Sequence, residues 1–151
     1  MKVDNRTEYA VTELFGAAVA GFDHSGLSVE VRYSPHGSRR YASGTYYRQA
    51  PKYPNGGLIR VRINRRNKYP VRVAFKTSNY YKRIDRKGRE ALYQRLRYER
   101  FHRPEHLALA LFLHEFSHYL DHVEGRNGRY KQTKADKFAI ETLRKLGLVG
   151  R

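Results

Sequence analysis

Apolar positions along the chain follow two different periods. Between residues 27 and 76 they alternate singly: Ile59, Val61 and Ile63 against Arg60, Arg62 and Asn64, then Val71, Val73 and Phe75 against Arg72 and Lys76. Alternation of this kind predicts strands with one buried face. Four are expected, at Leu27 to Tyr33, Tyr41 to Arg48, Leu58 to Asn64 and Pro70 to Lys76, separated by Pro35-His36-Gly37, Pro51 to Gly57 and Asn67 to Tyr69. Gly37 to Arg40 and Gln49 to Gly57 read as turn-rich loops. On either side of the strands the period lengthens to that of a helix. Met1 to Phe22, with the short apolar stretch Leu14 to Ala20 among Asp4, Glu8 and Glu13, reads as an amphipathic helix too short to span a bilayer. Pro104 and Glu105 suit a first helical turn. Leu107, Ala110, Leu111, Phe112, Leu113, Phe116, Leu120 and Val123 then make a helix apolar around much of its circumference, with Gly125 and Asn127-Gly128 as its stop. A last helix starts near Thr133. Segregated elements predict an α+β fold, and 151 residues without a linker or repeat predict one domain over 1–151.

The long apolar helix carries His114-Glu115-Phe116-Ser117-His118, an HExxH motif. Residues four apart on a helix lie nearly above one another, so both imidazoles can reach one Zn²⁺ at about 2.0–2.1 Å. Glu115 is offset from them. Its carboxylate can take a proton from an attacking water without filling a coordination position, the part of a general base in metal-assisted hydrolysis. Two histidines and a glutamate inside a core helix are costly unless metal and hydrogen bonds satisfy them.

Composition narrows the chemistry. With no cysteine, thiolate zinc sites, disulfides and cysteine nucleophiles are excluded, and a reducing, cytoplasmic compartment fits. Any metal is left to histidine and to carboxylate or amide oxygen. The formal net charge of +17 exceeds what solubility needs and suggests a polyanionic partner. Arg60, Arg62 and Arg72 decorate the strands. A second block, containing Lys82, Arg83, Arg86, Lys87, Arg89, Arg95, Arg97, Arg100 and Arg103 with Tyr80, Tyr81, Tyr93 and Tyr98 interleaved, reads as a basic helix suited to phosphate contact and base stacking. The candidate nucleic-acid contacts are Arg60, Arg62, Arg72, Lys82, Arg83, Arg86 and Arg97.

Gly44-Thr45-Tyr46 in a small sheet, then HEFSHYLD, then Lys134-Ala135-Asp136-Lys137-Phe138-Ala139, resemble the compact zincin metallopeptidases, with minimal gluzincins and the ImmA/IrrE-type and SprT-like enzymes nearest in outline. That resemblance implies a zincin-like fold: an N-terminal helix, a small mostly antiparallel or mixed sheet, the HExxH helix and a C-terminal helix. It also implies a third ligand in an E-x-x-A-D arrangement whose aspartate supports a zinc-binding histidine. Ala135-Asp136 match, and Gln132 stands at the ligand position. No histidine follows His122, so the later third histidine of SprT-like enzymes has no counterpart.

Helical spacing puts Gln132 and Asp136 on one inward stripe with Ala139 and Leu143, and Glu141 outside it. A glutamine carbonyl holds zinc more weakly than a carboxylate, and Asp136 can ligate or brace. The metzincin register offers Glu124 instead, if the helix breaks near Asp121. His122 extends the histidine series to about 12 Å of helix, too far for one ion, and is expected at the surface or beside the site. His106 is expected as a helix-start residue, and Tyr119 or Tyr130 as a donor to a developing oxyanion.

The expectation is therefore a zinc endopeptidase acting on protein or peptide laid along a strand edge. Its basic surface holds nucleic acid or draws acidic substrate segments. Two alternatives stand beside it: a nucleic-acid- or ribosome-binding module on a catalytically weak zincin scaffold, and a regulatory or mobile-element protein acting on a single repressor.

Overall fold

The computed structural model describes residues 1–48, 57–126 and 131–150. The chain is α+β. Its elements run β1 (Lys2–Asn5), α1 (Thr12–Ala18), β2 (Ser28–Tyr33), β3 (Ala42–Tyr47), β4 (Leu58–Ile63), β5 (Val71–Ile84), β6 (Glu90–Phe101), α2 (Pro104–Val123) and α3 (Gln132–Lys145). The first sheet is mixed, in the order β1-β2-β4-β3. β1, β2 and β4 are parallel, and β3 runs antiparallel against β4 with Gly44 opposite Val61. Its inward positions, Val29, Val31, Ile59, Val61, Ile63 and Tyr46, close on α2. Strict alternation sets this register, because a slip of one residue would bring the arginines of β4 into the core.

α2 is the central element, with Leu109, Phe112, Leu113 and Phe116 fully buried. Phe112 stacks on Phe15 of α1 with ring centroids 4.4 Å apart, and Phe116 meets Phe22 and Phe138. α3 packs along α2 through Ala139, Ile140 and Leu143. α2 ends where expected. The Gly125 N–H bonds to the His122 carbonyl and the Arg126 N–H to the Asp121 carbonyl, a Schellman closure that Gly125 permits by taking φ +68°.

Three expectations are corrected. The N-terminal segment is not one helix: Lys2–Asn5 joins the sheet beside β2, and only Thr12–Ala18 is helical. The strand expected to end at Lys76 continues to Ile84. The basic block beyond it is no helix but the far half of a long antiparallel hairpin, β5–β6, closed at Asp85–Arg89. There the Asp85 carboxylate accepts from the Lys87 and Arg89 N–H groups and Gly88 takes φ +75°. Tyrosine-rich segments favour strand over helix, and a turn containing Gly88 joins them. Among the described residues, no helix is long and apolar enough to cross a membrane.

Candidate metal centre

The site lies where α2, α3, β3 and β5 meet, in a cavity of about 360 Å³ lined by Gly44, Phe75, Leu111, His114, Glu115, Gln132 and Asp136 among others. The four-residue spacing on α2 turns His114 and His118 towards each other, with their Nε2 atoms 3.3 Å apart. Two nitrogens that bind one tetrahedral zinc at about 2.0–2.1 Å lie about 3.3 Å from each other, so this separation suits a shared ion. Gln132, at the start of α3, hydrogen-bonds to both imidazoles through its side chain. The Gln132 side chain thus lies beside both imidazoles. Among the described residues, no three His, Cys, Asp or Glu side chains form a group that could hold a metal ion, and the third donor here is an uncharged amide.

Asp136, one turn into α3, sits on the far side of His114. Its Oδ1 accepts from His114 Nδ1–H at 2.6 Å, and its Oδ2 accepts from the Lys76 N–H at 2.7 Å. With both oxygens engaged, Asp136 braces the imidazole and its tautomer, and Nε2 is left to face the cavity. Burial alone would lower the His114 imidazole, but its bond to Asp136 and the negative charge nearby outweigh it and raise the ring above its ordinary value. At His118 the balance goes the other way: burial, with the charge of His114, pulls the imidazole below its ordinary value.

Glu115 lines the same cavity as His114, offset round α2 towards β3 and against Gly44. Its carboxylate accepts from the Tyr46 N–H, while Oε2 is buried without a hydrogen-bond partner among the described residues. Burial is the main reason its carboxyl is raised above the usual carboxylate range. An orphaned, ionisable oxygen beside two convergent imidazoles is what a zinc site with an attacking water requires, so the residues fit the ion. Gly44 makes room for this arrangement. A Cβ built there would lie 3.1 Å from Glu115 Cγ and 3.5 Å from Leu111 Cβ, tighter at Glu115 than ordinary packing allows. A glycine inside a strand was the available sign of that close approach. The Tyr46 and Lys76 backbone donors, by contrast, had none.

The other expected residues are dispersed. Glu124 is excluded as a ligand because α2 continues through Asp121 to Val123, leaving Glu124 exposed at the helix end in an ion pair with Arg126. His122 lies beside the site, with its Nδ1 2.8 Å from the Tyr46 hydroxyl. His106 is in the first turn of α2 and Glu141 is exposed on α3, as expected. Tyr119 is buried against Phe116 and Tyr46, while Tyr130 and the Asn127-Gly128 stop lie outside the described residues. The basic residues do not share one element: Arg60 and Arg62 are on β4, the others on β5–β6. Two of them already have intramolecular partners. Arg60 bonds buried Glu30 at 2.9 Å, and Arg97 bonds Glu99 and the Gly150 carbonyl, each at 2.6 Å. Arg72 lies over the Tyr98 ring.

Next to the site, sharing Lys76 and Gln132 with it, is a second cavity of about 600 Å³ walled by Lys131, Lys134 and Lys137. No protein-family model matches the chain, and neither a curated protein nor a solved structure does.

Proposed function

We propose that the protein is a zinc-dependent endopeptidase of the cytoplasm, with a zincin-like arrangement of helix and edge strand. The grouping of His114, His118 and Gln132 beside the buried carboxylate of Glu115 carries this reading. The two imidazoles and the amide oxygen would hold the metal. Zinc bound there supplies Lewis-acid polarisation of a peptide carbonyl and makes a water acidic enough to attack at neutral pH. Glu115 would receive the proton from that water and pass it to the departing amine. Asp136 keeps His114 oriented. β3 is the outer strand of its sheet, so an extended peptide can pair with its free edge above Glu115, with β5 as the opposite wall of the cleft. Lys76, Lys131 and Lys137 favour acidic side chains on one side of the scissile bond.

The uncharged Gln132 favours a second reading, a scaffold whose metal affinity and catalysis are weak and whose basic surface carries the function. Elemental mass spectrometry of protein purified without added zinc separates the two. Near one zinc per chain, lost in His118→Ala and reduced in Gln132→Ala, is expected. Cleavage of an extended peptide library, followed by mass spectrometry, should vanish in Glu115→Gln while zinc and fold remain. Retained cleavage in that variant, or no zinc uptake on titration, overturns the peptidase reading.

A further inference from the structure

The β5–β6 hairpin is out of keeping with the rest of the molecule. From Val71 to Phe101 it carries ten lysines and arginines against three acidic residues. Its base is held by buried Val71, Phe75 and Phe101, and α3 reaches it last through the bond from Gln94 to the Thr133 hydroxyl. Beyond Tyr80 and Gln94 it is a two-stranded ribbon with both faces in water. Along it stand large apolar side chains that a free-standing ribbon has no reason to carry: Ile84 and Leu92 are 69% and 64% exposed, and Tyr80 and Tyr98 about half. On one face the pairing alternates Tyr80, Lys82 and Ile84 against Gln94, Leu92 and Glu90. On the other, Tyr81 stacks on Tyr93, and Arg95 lies over the Tyr81 ring. At the tip, Arg83, Arg86, Lys87, Arg89 and Tyr93 surround an open cavity of about 450 Å³. Lys82, Arg83, Arg86 and Lys87 have no ion pair among the described residues, in contrast to Arg60 and Arg97.

We propose that this arm is a binding platform for single-stranded nucleic acid, with phosphates on the unpaired lysines and arginines of the tip and bases against the exposed tyrosine and leucine faces. The charge selects a polyanion. The apolar rings select among polyanions, because in a duplex the base faces are already stacked and only edges and phosphates are presented. Unpaired bases offer the faces that would cover Tyr80 and its neighbours, and stacking of this kind tolerates any sequence. The platform does not depend on the metal centre, so it stands or falls separately from the peptidase reading.

The test uses the full-length protein with a fluorescent 20-nucleotide oligothymidine, the same length as a mixed-sequence duplex, and vesicles of phosphatidylserine and phosphatidylcholine. Anisotropy should show the single strand bound at least about ten-fold more tightly than the duplex. Its log affinity should fall with log salt at roughly −0.7 per phosphate neutralised, and thus near −3 for four tip contacts. The combined K82Q, R83Q, R86Q and K87Q variant should lose most of that slope. Tyr80→Ala should weaken binding by about five-fold or more while leaving the slope unchanged. All these side chains are exposed, so circular dichroism should match wild type, and Glu115→Gln should bind like wild type. Equal or tighter duplex binding, binding to vesicles without the oligonucleotide, or affinity unchanged in the tip variant would each overturn the proposal.

Discussion

The α2 core and the β5–β6 arm obey opposite rules although they lie only three residues apart in sequence. In α2 most side chains are buried, and its polar groups are held by neighbours, His114 by Asp136 and Glu115 by the Tyr46 N–H, with Glu115 Oε2 left without a partner among the described residues. In the arm almost nothing is buried, and charge and aromatic rings face water on both sides. Burial makes structure depend on each side chain. Exposure leaves the backbone ribbon to carry the fold and frees the side chains for contact with a partner.

The contrast is sharpest in stability. Phe112→Ala, which removes a fully buried ring stacked on Phe15, should cost about 3–5 kcal/mol in denaturant unfolding. The next effect is on activity. Gly44→Val places a branched side chain against Glu115 and should lower peptide cleavage about 100-fold with little loss of fold, measured as kcat/KM beside a melting curve. Asp136→Asn should weaken zinc affinity about 10–100-fold, read by competition with a chromophoric chelator, because the His114 tautomer loses its brace.

Glu115→Gln tests the buried carboxylate directly. A carboxyl raised by burial makes the folded state less stable as pH rises from the unfolded value, about 4.3, through the folded one. The variant should therefore stabilise the chelator-treated protein by about 1 kcal/mol at pH 7 and confer nothing near pH 4. The smallest effect belongs to the arm: Leu92→Ser should shift stability by less than about 0.5 kcal/mol. A large loss there would mean that the arm is packed against something, and the comparison would fail.

The same contrast explains what could be read from the chain. β2, β3 and β4 were legible to within a residue or two because one face is buried and alternation follows. α2 and its end at Gly125 were legible for the corresponding helical reason. In β6 neither face is buried over most of its length, so Leu92, Arg95, Leu96 and Arg97 show no period, and a charged run resembled a helix. β1 is a four-residue strand whose partner lies more than twenty positions away, beyond any local signal. At the site, the spacing of His114 and His118 and the inward stripe of Gln132 and Asp136 were readable. The side of His114 that Asp136 occupies depends on how α3 packs and on a β5 backbone donor.

That donor, the Lys76 N–H, sits immediately before the register irregularity that separates Lys76 from Tyr80. There β5 has four residues where β6 advances by two, so twist and length accumulated along the ribbon are taken up before they reach Asp136. The irregularity divides a fixed clamp from a replaceable fitting: lengthening or trimming the arm beyond Tyr80 and Gln94 should leave the bond that orients His114 in place, read as an unchanged zinc affinity.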